Sequence, residues 1–159
     1  MTRNSLAMPV HEFDIQWCVA DRTQLPDEAL IRHWANVSLS ELVEGDAEVC
    51  LRIVDASEIQ SLNLQYRSEN KATNVLSFPN GHIDENGRVL LGDIVICNEV
   101  VVSESVTQKK SVEAHFAHLL IHGLLHLRGH DHSEDDQADK MEAVEIGLMK
   151  NLGYGNPYE

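Results

Sequence analysis

Apolar and polar residues alternate in two stretches of the chain, which is the pattern of a β-strand with one buried face. The odd-numbered positions from Phe13 to Val19 are apolar, and so are those from Val49 to Ile53, with Ala47 before them. The sequence therefore predicts one strand over residues 13–19 and a second over residues 47–53.

Two helices are predicted around the second strand. Residues 25–42 have apolar positions at helical spacing and carry Pro26 near their start, where a proline is tolerated because the first helical N–H groups have no partner in the helix. Residues 57–67 are predicted to form the next helix, with Ser57 as its N-cap.

Two further helices are predicted in the C-terminal part of the chain. Residues 111–127 are rich in leucine and histidine, and Gly129 is expected to end that helix. Ser133 precedes three acidic residues that favour a helix N-terminus, so a last helix is expected from there to about Leu152.

Between these helices lie two more predicted strands. Residues 74–78 are short and apolar, and Pro79 is expected to end them. Turn-forming residues follow, and residues 88–97 are predicted to form a fourth strand that Gly92 interrupts.

The predicted order is β-α-β-α-β-β-α-α, which indicates one small sheet of about four strands with helices packed on it. Strands joined through a helix are expected to be parallel, whereas the third and fourth strands, joined by a turn, are candidates for an antiparallel pair. A length of 159 residues is typical of a single domain, so we expect one domain over residues 1–159.

Charge and composition limit the classes of function. The net charge of −14 disfavours a protein that coats nucleic acid, because phosphate repels such a surface, although a metal ion and a few arginines can make one pocket positive. The start of the chain lacks the apolar run of a signal peptide, and no stretch has the length of a membrane span. Three separated cysteines, Cys18, Cys50 and Cys97, are expected to be buried reduced thiols of an intracellular protein.

Six of the nine histidines lie between His115 and His132, and their spacing predicts a metal site. His122 and His126 are four residues apart and share one helix face, so both imidazoles can reach one ion. His118 extends this face, but it lies about 12 Å along the helix axis from His126 at 1.5 Å per residue, which makes it a packing residue or an indirect contact.

The better third ligand is His132, because Gly129 allows the chain to turn back toward the helical pair. The resulting frame, H-x-x-x-H-x-x-G-x-x-H, is that of the metzincin peptidases, with Gly123 at the position of their catalytic glutamate. Three neutral imidazoles with an open fourth position indicate a catalytic zinc site. His130 and Asp131 are alternative ligands or supporting partners.

The stretch HGLLHLRGHDH, from His122 to His132, resembles the signature of the YbeY family of bacterial zinc-dependent endoribonucleases. The stretches LNLQYRSENKATNVLSFPN, LLGDIVIC and EDDQADKMEAVEIGLMKNLGY resemble further blocks of that family, in the family's order. The resemblance covers the chain from about Val49 to the C-terminus.

This resemblance implies an α+β fold with a small mixed sheet, and one zinc ion per chain bound by His122, His126 and His132. It implies a functional role for Arg67, whose guanidinium suits a phosphate. On the residues alone Arg67 and Lys71 are ordinary solvated cations, and Lys71 is the weaker candidate for a substrate contact.

The resemblance also implies a single-strand-specific endoribonuclease that matures the 3′ end of 16S ribosomal RNA and acts in ribosome quality control. The implied partners are ribosomal RNA, the small ribosomal subunit and ribosome-associated proteins in the cytoplasm, with no membrane and no DNA. Two alternatives stay open. One is a zinc metallopeptidase-like hydrolase, and the other is a non-catalytic ribosome-assembly factor with structural zinc.

Overall fold

The computed structural model describes residues 9–159, which comprise four strands and five helices. The expectation that no signal peptide is present falls mostly on residues 1–8, outside the described part of the chain. The elements in chain order are β1 (Glu12–Trp17), α1 (Glu28–Leu42), β2 (Ala47–Val54), α2 (Ala56–Arg67), β3 (Val75–Ile83), β4 (Val89–Cys97), α3 (Asn98–Thr107), α4 (Val112–Leu127) and α5 (Asp135–Asn151).

The four strands form one mixed sheet in the order β1-β2-β4-β3, which confirms the predicted α+β class. β1, β2 and β4 are parallel to one another, and β3 pairs antiparallel with β4 at the edge. The expectation of parallel strands across each helix holds for β1 and β2 but is wrong for β2 and β3. The reason is that β4 takes the place beside β2, and β3 reaches the sheet only through its hairpin with β4.

Pro79 does not end β3, as the sequence suggested, because the strand continues to Ile83. A proline lacks the N–H that a ladder requires, but an edge strand with an irregular register tolerates it. The register shifts between Pro79 and His82, where Pro79 lies opposite Gly92.

Gly92 does not interrupt β4 either, since that strand is continuous from Val89 to Cys97. Gly92 has a φ of +136°, which glycine adopts readily and residues with a side chain rarely do. A Cβ added at Gly92 would lie 2.2 Å from the carbonyl oxygen of Phe78. The glycine therefore accommodates the irregular pairing on both sides of β4.

Helix α3 was absent from the sequence-based prediction. Its sequence, NEVVVSESVT, contains three consecutive valines, and β-branched residues have low helix propensity. The helix packs with Val101 and Ser105 buried, so tertiary burial outweighs the local preference.

The caps of two predicted helices also differ from expectation. Asp55, not Ser57, caps α2, and its side chain accepts a hydrogen bond from the backbone N–H of Glu58. The last helix begins after Glu134 rather than after Ser133, and no side chain caps it. The first of these helices therefore starts two residues earlier than expected, and the second starts one residue later.

The two faces of the sheet are covered by different helices. On one face α1, α4 and α5 pack with the strands around a large core that includes Trp34, Ile53 and Phe116. On the other face Ile59 of α2 packs on Val95 and Leu76. Helix α4 is buried along most of its length, which makes it a rigid support for the side chains on its remaining open face.

The described part of the chain contains no helix that is long and apolar enough to cross a membrane. Of the three cysteines, Cys97 is buried, Cys50 is half-buried and Cys18 is exposed, so the expectation of three buried thiols holds fully only for Cys97 and is wrong for Cys18. All three are free thiols, because the separated strands and loops that carry them do not bring them into pairs.

Candidate metal centre and cleft

Helix α4 places two histidines of the predicted trio side by side. The helix begins after Ser111, whose hydroxyl accepts a hydrogen bond from the N–H of Ala114. His122 and His126 then lie one turn apart, with their Nε2 atoms separated by 3.1 Å. The i, i+4 spacing therefore brings both imidazoles to one point, as expected.

A glycine turn brings the third histidine back. Gly129 has a φ of +88°, its N–H donates to the carbonyl of His126, and the N–H of His130 donates to the carbonyl of Leu125. This pair of bonds is the Schellman arrangement that ends a helix. As a result His132 packs near the pair, with its ring centroid 5.0 Å from that of His126.

The three imidazoles together can hold one metal ion. One nitrogen from each of His122, His126 and His132 lies within 4.8 Å of the other two. His126 is half-buried, and burial above all, followed by the neighbouring His122 and His132, lowers its pKa, which keeps the imidazole neutral and its lone pair available. Three nitrogen donors of this kind fit a first-row divalent ion such as zinc.

Glu145 of α5 supports this trio and was missed by the sequence analysis. Its side chain is only 1% exposed, and its Oε1 accepts a hydrogen bond from Nδ1 of His122 at 3.1 Å. An ionised carboxylate has no proton to donate and can only accept a hydrogen bond. Nδ1 of His122 therefore carries the proton, and Nε2 keeps its lone pair. The carboxylate thus selects the tautomer of His122 that can bind a metal.

The other carboxylate oxygen of Glu145 accepts hydrogen bonds from His118 Nε2 and from the Tyr158 hydroxyl, the latter at 2.7 Å. Burial alone would raise the pKa of Glu145, but the hydrogen bonds from His118, His122 and Tyr158 outweigh it and lower the pKa to about 2. The group is therefore ionised at neutral pH.

A sequence signal for Glu145 did exist. Met141, Glu145 and Leu148 follow helical spacing, and all three are buried. A carboxylate on the apolar face of a helix requires a partner, because an unpaired buried charge is costly. His118 is one such partner, which agrees with its predicted supporting position outside the trio.

Of the two alternative ligands, Asp131 supports the loop that carries His132. Its Oδ1 accepts hydrogen bonds from the N–H groups of His132 and Ser133, at 2.7 and 3.2 Å. Its carboxylate therefore holds the turn that directs His132 toward α4.

The trio opens into a cleft of about 490 Å³ between α4, β3 and the end of α2. Arg67, the last residue of α2, lines the same cleft, together with Ser77 and Phe78 of β3. Within residues 9–159 its guanidinium makes neither an ion pair nor a hydrogen bond. Arg67 therefore presents an unpaired positive charge to the space in front of the histidines.

Lys71 does not line this cleft. Its side chain is 71% exposed, and its ammonium lies 3.8 Å from the carboxylate of Glu69. An exposed pair of this kind is weak, so Lys71 belongs to the outer surface, and its role as a substrate contact stays a prediction.

Gly123, at the position of the peptidase glutamate, faces the sheet. An added Cβ would lie 3.0 to 3.3 Å from three carbons of Ile94 in β4. The glycine allows α4 to approach the sheet closely, and the backbone carbonyl of Gly123 accepts a hydrogen bond from the Ser77 hydroxyl. A side chain at this position would be directed at the core, so the site contains no counterpart of the peptidase base there.

Two comparisons with known proteins bear on this cleft. A family model described as endoribonuclease YbeY matches residues 19–153. The chain also resembles the solution structure of TM1509 from Thermotoga maritima, with 27% sequence identity and a TM-score of 0.58. That match covers 87% of this chain and 88% of the Thermotoga chain.

Proposed function

The chain belongs to the endoribonuclease YbeY family, and from this premise we propose that it is a metal-dependent endoribonuclease that cuts single-stranded RNA. We propose that its substrate is ribosomal RNA, at the 3′ end of the 16S molecule, and that it takes part in ribosome quality control. One observation carries the proposal: three imidazoles and an unpaired arginine line the same cleft.

We propose one zinc ion per chain, bound by His122, His126 and His132. When bound, zinc supplies a water whose pKa falls to about 7 and a positive charge beside the phosphate. The protein's part is to keep the imidazole of His126 neutral and to orient that of His122. Burial of His126 and the hydrogen bond from His122 to Glu145 serve this purpose.

Arg67 is the proposed phosphate-binding residue. Its planar guanidinium can donate two parallel hydrogen bonds to phosphoryl oxygens, which fixes the phosphodiester in front of the histidines. The same charge stabilises negative charge that builds up on those oxygens during cleavage. Because the whole chain carries a net charge of −14, this local cation has to counter the repulsion of phosphate by the acidic body.

The arrangement of the site bears on the two alternatives. A metallopeptidase needs a general base after its first histidine, whereas Gly123 packs against Ile94. A structural zinc site is closed by four protein ligands. Within residues 9–159 the trio comprises three histidines and opens into the cleft, which favours a catalytic site.

The remaining proposals follow from an RNA substrate of this kind. The partners are the small ribosomal subunit and ribosome-associated proteins, in the cytoplasm, with no role on DNA or at a membrane. Residues 1–159 are proposed to form one endoribonuclease domain. The family match over residues 19–153 and the single sheet shared by both layers of helices support this assignment.

The metal proposal is tested by His126→Ala. Nuclease-free wild-type and variant proteins are compared for zinc content and for cleavage of a single-stranded oligoribonucleotide. We expect the variant to lose zinc and cleavage together, because two imidazoles cannot hold the ion alone. Equal cleavage by both proteins would place the activity elsewhere, and casein digestion by the zinc-loaded wild type would support the peptidase alternative.

The role of Arg67 is tested by Arg67→Glu, which should keep the zinc content but slow cleavage by about a hundredfold, the usual loss for a group that stabilises developing charge. Lys150→Glu, at the C-terminal end of α5 and outside the cleft, is the matched charge reversal. Lys71→Glu tests whether Lys71 contacts the substrate, and we expect a small loss of RNA affinity that is similar for all RNA sequences. If Arg67→Glu cleaves RNA as the wild type does, its assigned role is wrong.

A further inference from the structure

Two aromatic side chains form an exposed ridge beside the proposed active site. Tyr66, in the last turn of α2, is 59% exposed, and Phe78 of β3 is half-buried next to it. Their ring centroids are 5.1 Å apart at an interplanar angle of 67°. We call this pair the aromatic ridge. An edge-to-face pair at the surface leaves ring area open for a third ring.

The aromatic ridge separates two hollows. On one side it lines the cleft that contains the three histidines and Arg67. On the other side it lines a second hollow of about 510 Å³. A ligand that extends from Arg67 across the aromatic ridge therefore passes from one hollow into the other.

The charges of the second hollow exclude a phosphate as its occupant. Arg52 is its cation, and the guanidinium is already paired with both carboxylate oxygens of Glu58, at 2.5 and 3.0 Å. Asp93 adds an exposed carboxylate to the same wall. A neutral, flat group that can donate hydrogen bonds to carboxylates fits this wall better than an anion does.

We propose that the aromatic ridge is a nucleobase-binding site, which holds a base next to the phosphate bound at Arg67. This assignment rests on the proposed endoribonuclease function. It adds that the aromatic ridge contacts a base of the RNA substrate. A base can stack on Tyr66 or Phe78, and its exocyclic amino group can donate to Glu58 or Asp93. Stacking carries no charge, so it supplies affinity that a strongly acidic protein cannot obtain from phosphate contacts alone.

This site also explains why a duplex would be a poor substrate. A base within a duplex has both faces covered by its neighbours, so it cannot stack on a protein ring without leaving the helix. Leaving the stack costs a few kcal/mol, and an unpaired base avoids that cost. The aromatic ridge therefore favours single-stranded RNA.

The test compares zinc-loaded wild type with Tyr66→Ala, Tyr66→Phe and the control Leu64→Ala. Leu64 lies on the same helix and is 49% exposed, but it lines neither hollow. The probe is a single-stranded 2′-O-methyl oligoribonucleotide that contains 2-aminopurine, whose fluorescence falls when it stacks on a ring. Initial cleavage rates on the matching unmodified RNA supply KM and kcat.

We expect Tyr66→Ala to weaken binding and to raise KM by about tenfold, within the range measured when a stacking ring is removed, and to lose the fluorescence change. Tyr66→Phe should bind as the wild type does, because it keeps the ring, and Leu64→Ala should be unchanged. Wild-type affinity and fluorescence in Tyr66→Ala would overturn the proposal. So would a fall in kcat with unchanged binding.

The outcome separates this proposal from the proposed function. If the wild type cleaves RNA but Tyr66→Ala is unaffected, the base site is wrong and the nuclease assignment stands. If the wild type binds and quenches the probe without cleaving RNA, the base site stands and the nuclease assignment fails.

Discussion

Replacing Glu145 with glutamine should weaken zinc binding without changing the shape of the side chain. In the wild type the ionised carboxylate can only accept, so Nδ1 of His122 must carry the proton. A glutamine can turn its NH2 group toward His122 instead. That orientation favours a proton on Nε2, which removes the lone pair that faces the other two histidines.

The expected losses of zinc affinity and of stability follow from the contacts that Glu145→Gln changes. Loss of a hydrogen-bonding partner behind a metal-binding histidine lowers metal affinity by about 10- to 100-fold, or ~1.4–2.7 kcal/mol. Glu145 also accepts from His118 and Tyr158, and one amide oxygen cannot replace all three acceptor contacts. A hydrogen bond to a buried charged group contributes ~1.5–3 kcal/mol, so the metal-free variant should be less stable by about that amount.

Zinc affinity is measured by competition with a chromophoric chelator, and the stability of the metal-free protein by urea unfolding. Asp139→Asn is the matched control, because it makes the same chemical change at an exposed position of α5. Wild-type zinc affinity in Glu145→Gln would refute the reasoning. Failure of the wild type itself to bind zinc would instead refute the metal site.

Two further predictions concern stability and thiol chemistry. Gly92→Ala should lower the free energy of unfolding in urea by about 3 kcal/mol, because the new Cβ would clash with the Phe78 carbonyl at a backbone φ of +136°. Gly147→Ala, which has open space around it in α5, should raise the free energy of unfolding by about 0.5–1 kcal/mol. Equal effects of the two substitutions would contradict the argument. Iodoacetamide at pH 8 should label the exposed Cys18 well before Cys50, because burial, followed by nearby aspartates, raises the pKa of Cys50 to about 11. The labelling rate of Cys50 should rise steadily with pH, in step with its thiolate fraction, and level off only as the pH approaches that value. Comparable rates at pH 8, read by mass spectrometry, would show that Cys50 is not protected.

Local spacing was sufficient to predict that the three histidines lie together. His122 and His126 are one helical turn apart, and Gly129 allows the short return to His132, so all three positions depend on backbone geometry within eleven residues. The α+β class was likewise predictable, because the alternation in β1 and β2 and the helical stretches between the strands are periodic patterns. Errors arose for two different reasons: burial outweighed local preference in the valine-rich α3, and an edge strand with an irregular register tolerated Pro79.

The tertiary structure alone decided which distant residues join the trio. Glu145 is 23 residues from His122, and only the packing of α5 against α4 places its carboxylate at Nδ1. Periodicity shows that Glu145 lies on a buried face, but not which side chain it meets there. The position of Arg67 in the same cleft, and of Tyr66 against Phe78, likewise depends on how α2 ends beside β3. Contacts within a helix turn follow from bond geometry, whereas contacts between elements follow from how the whole core packs, and a single sequence does not display that packing.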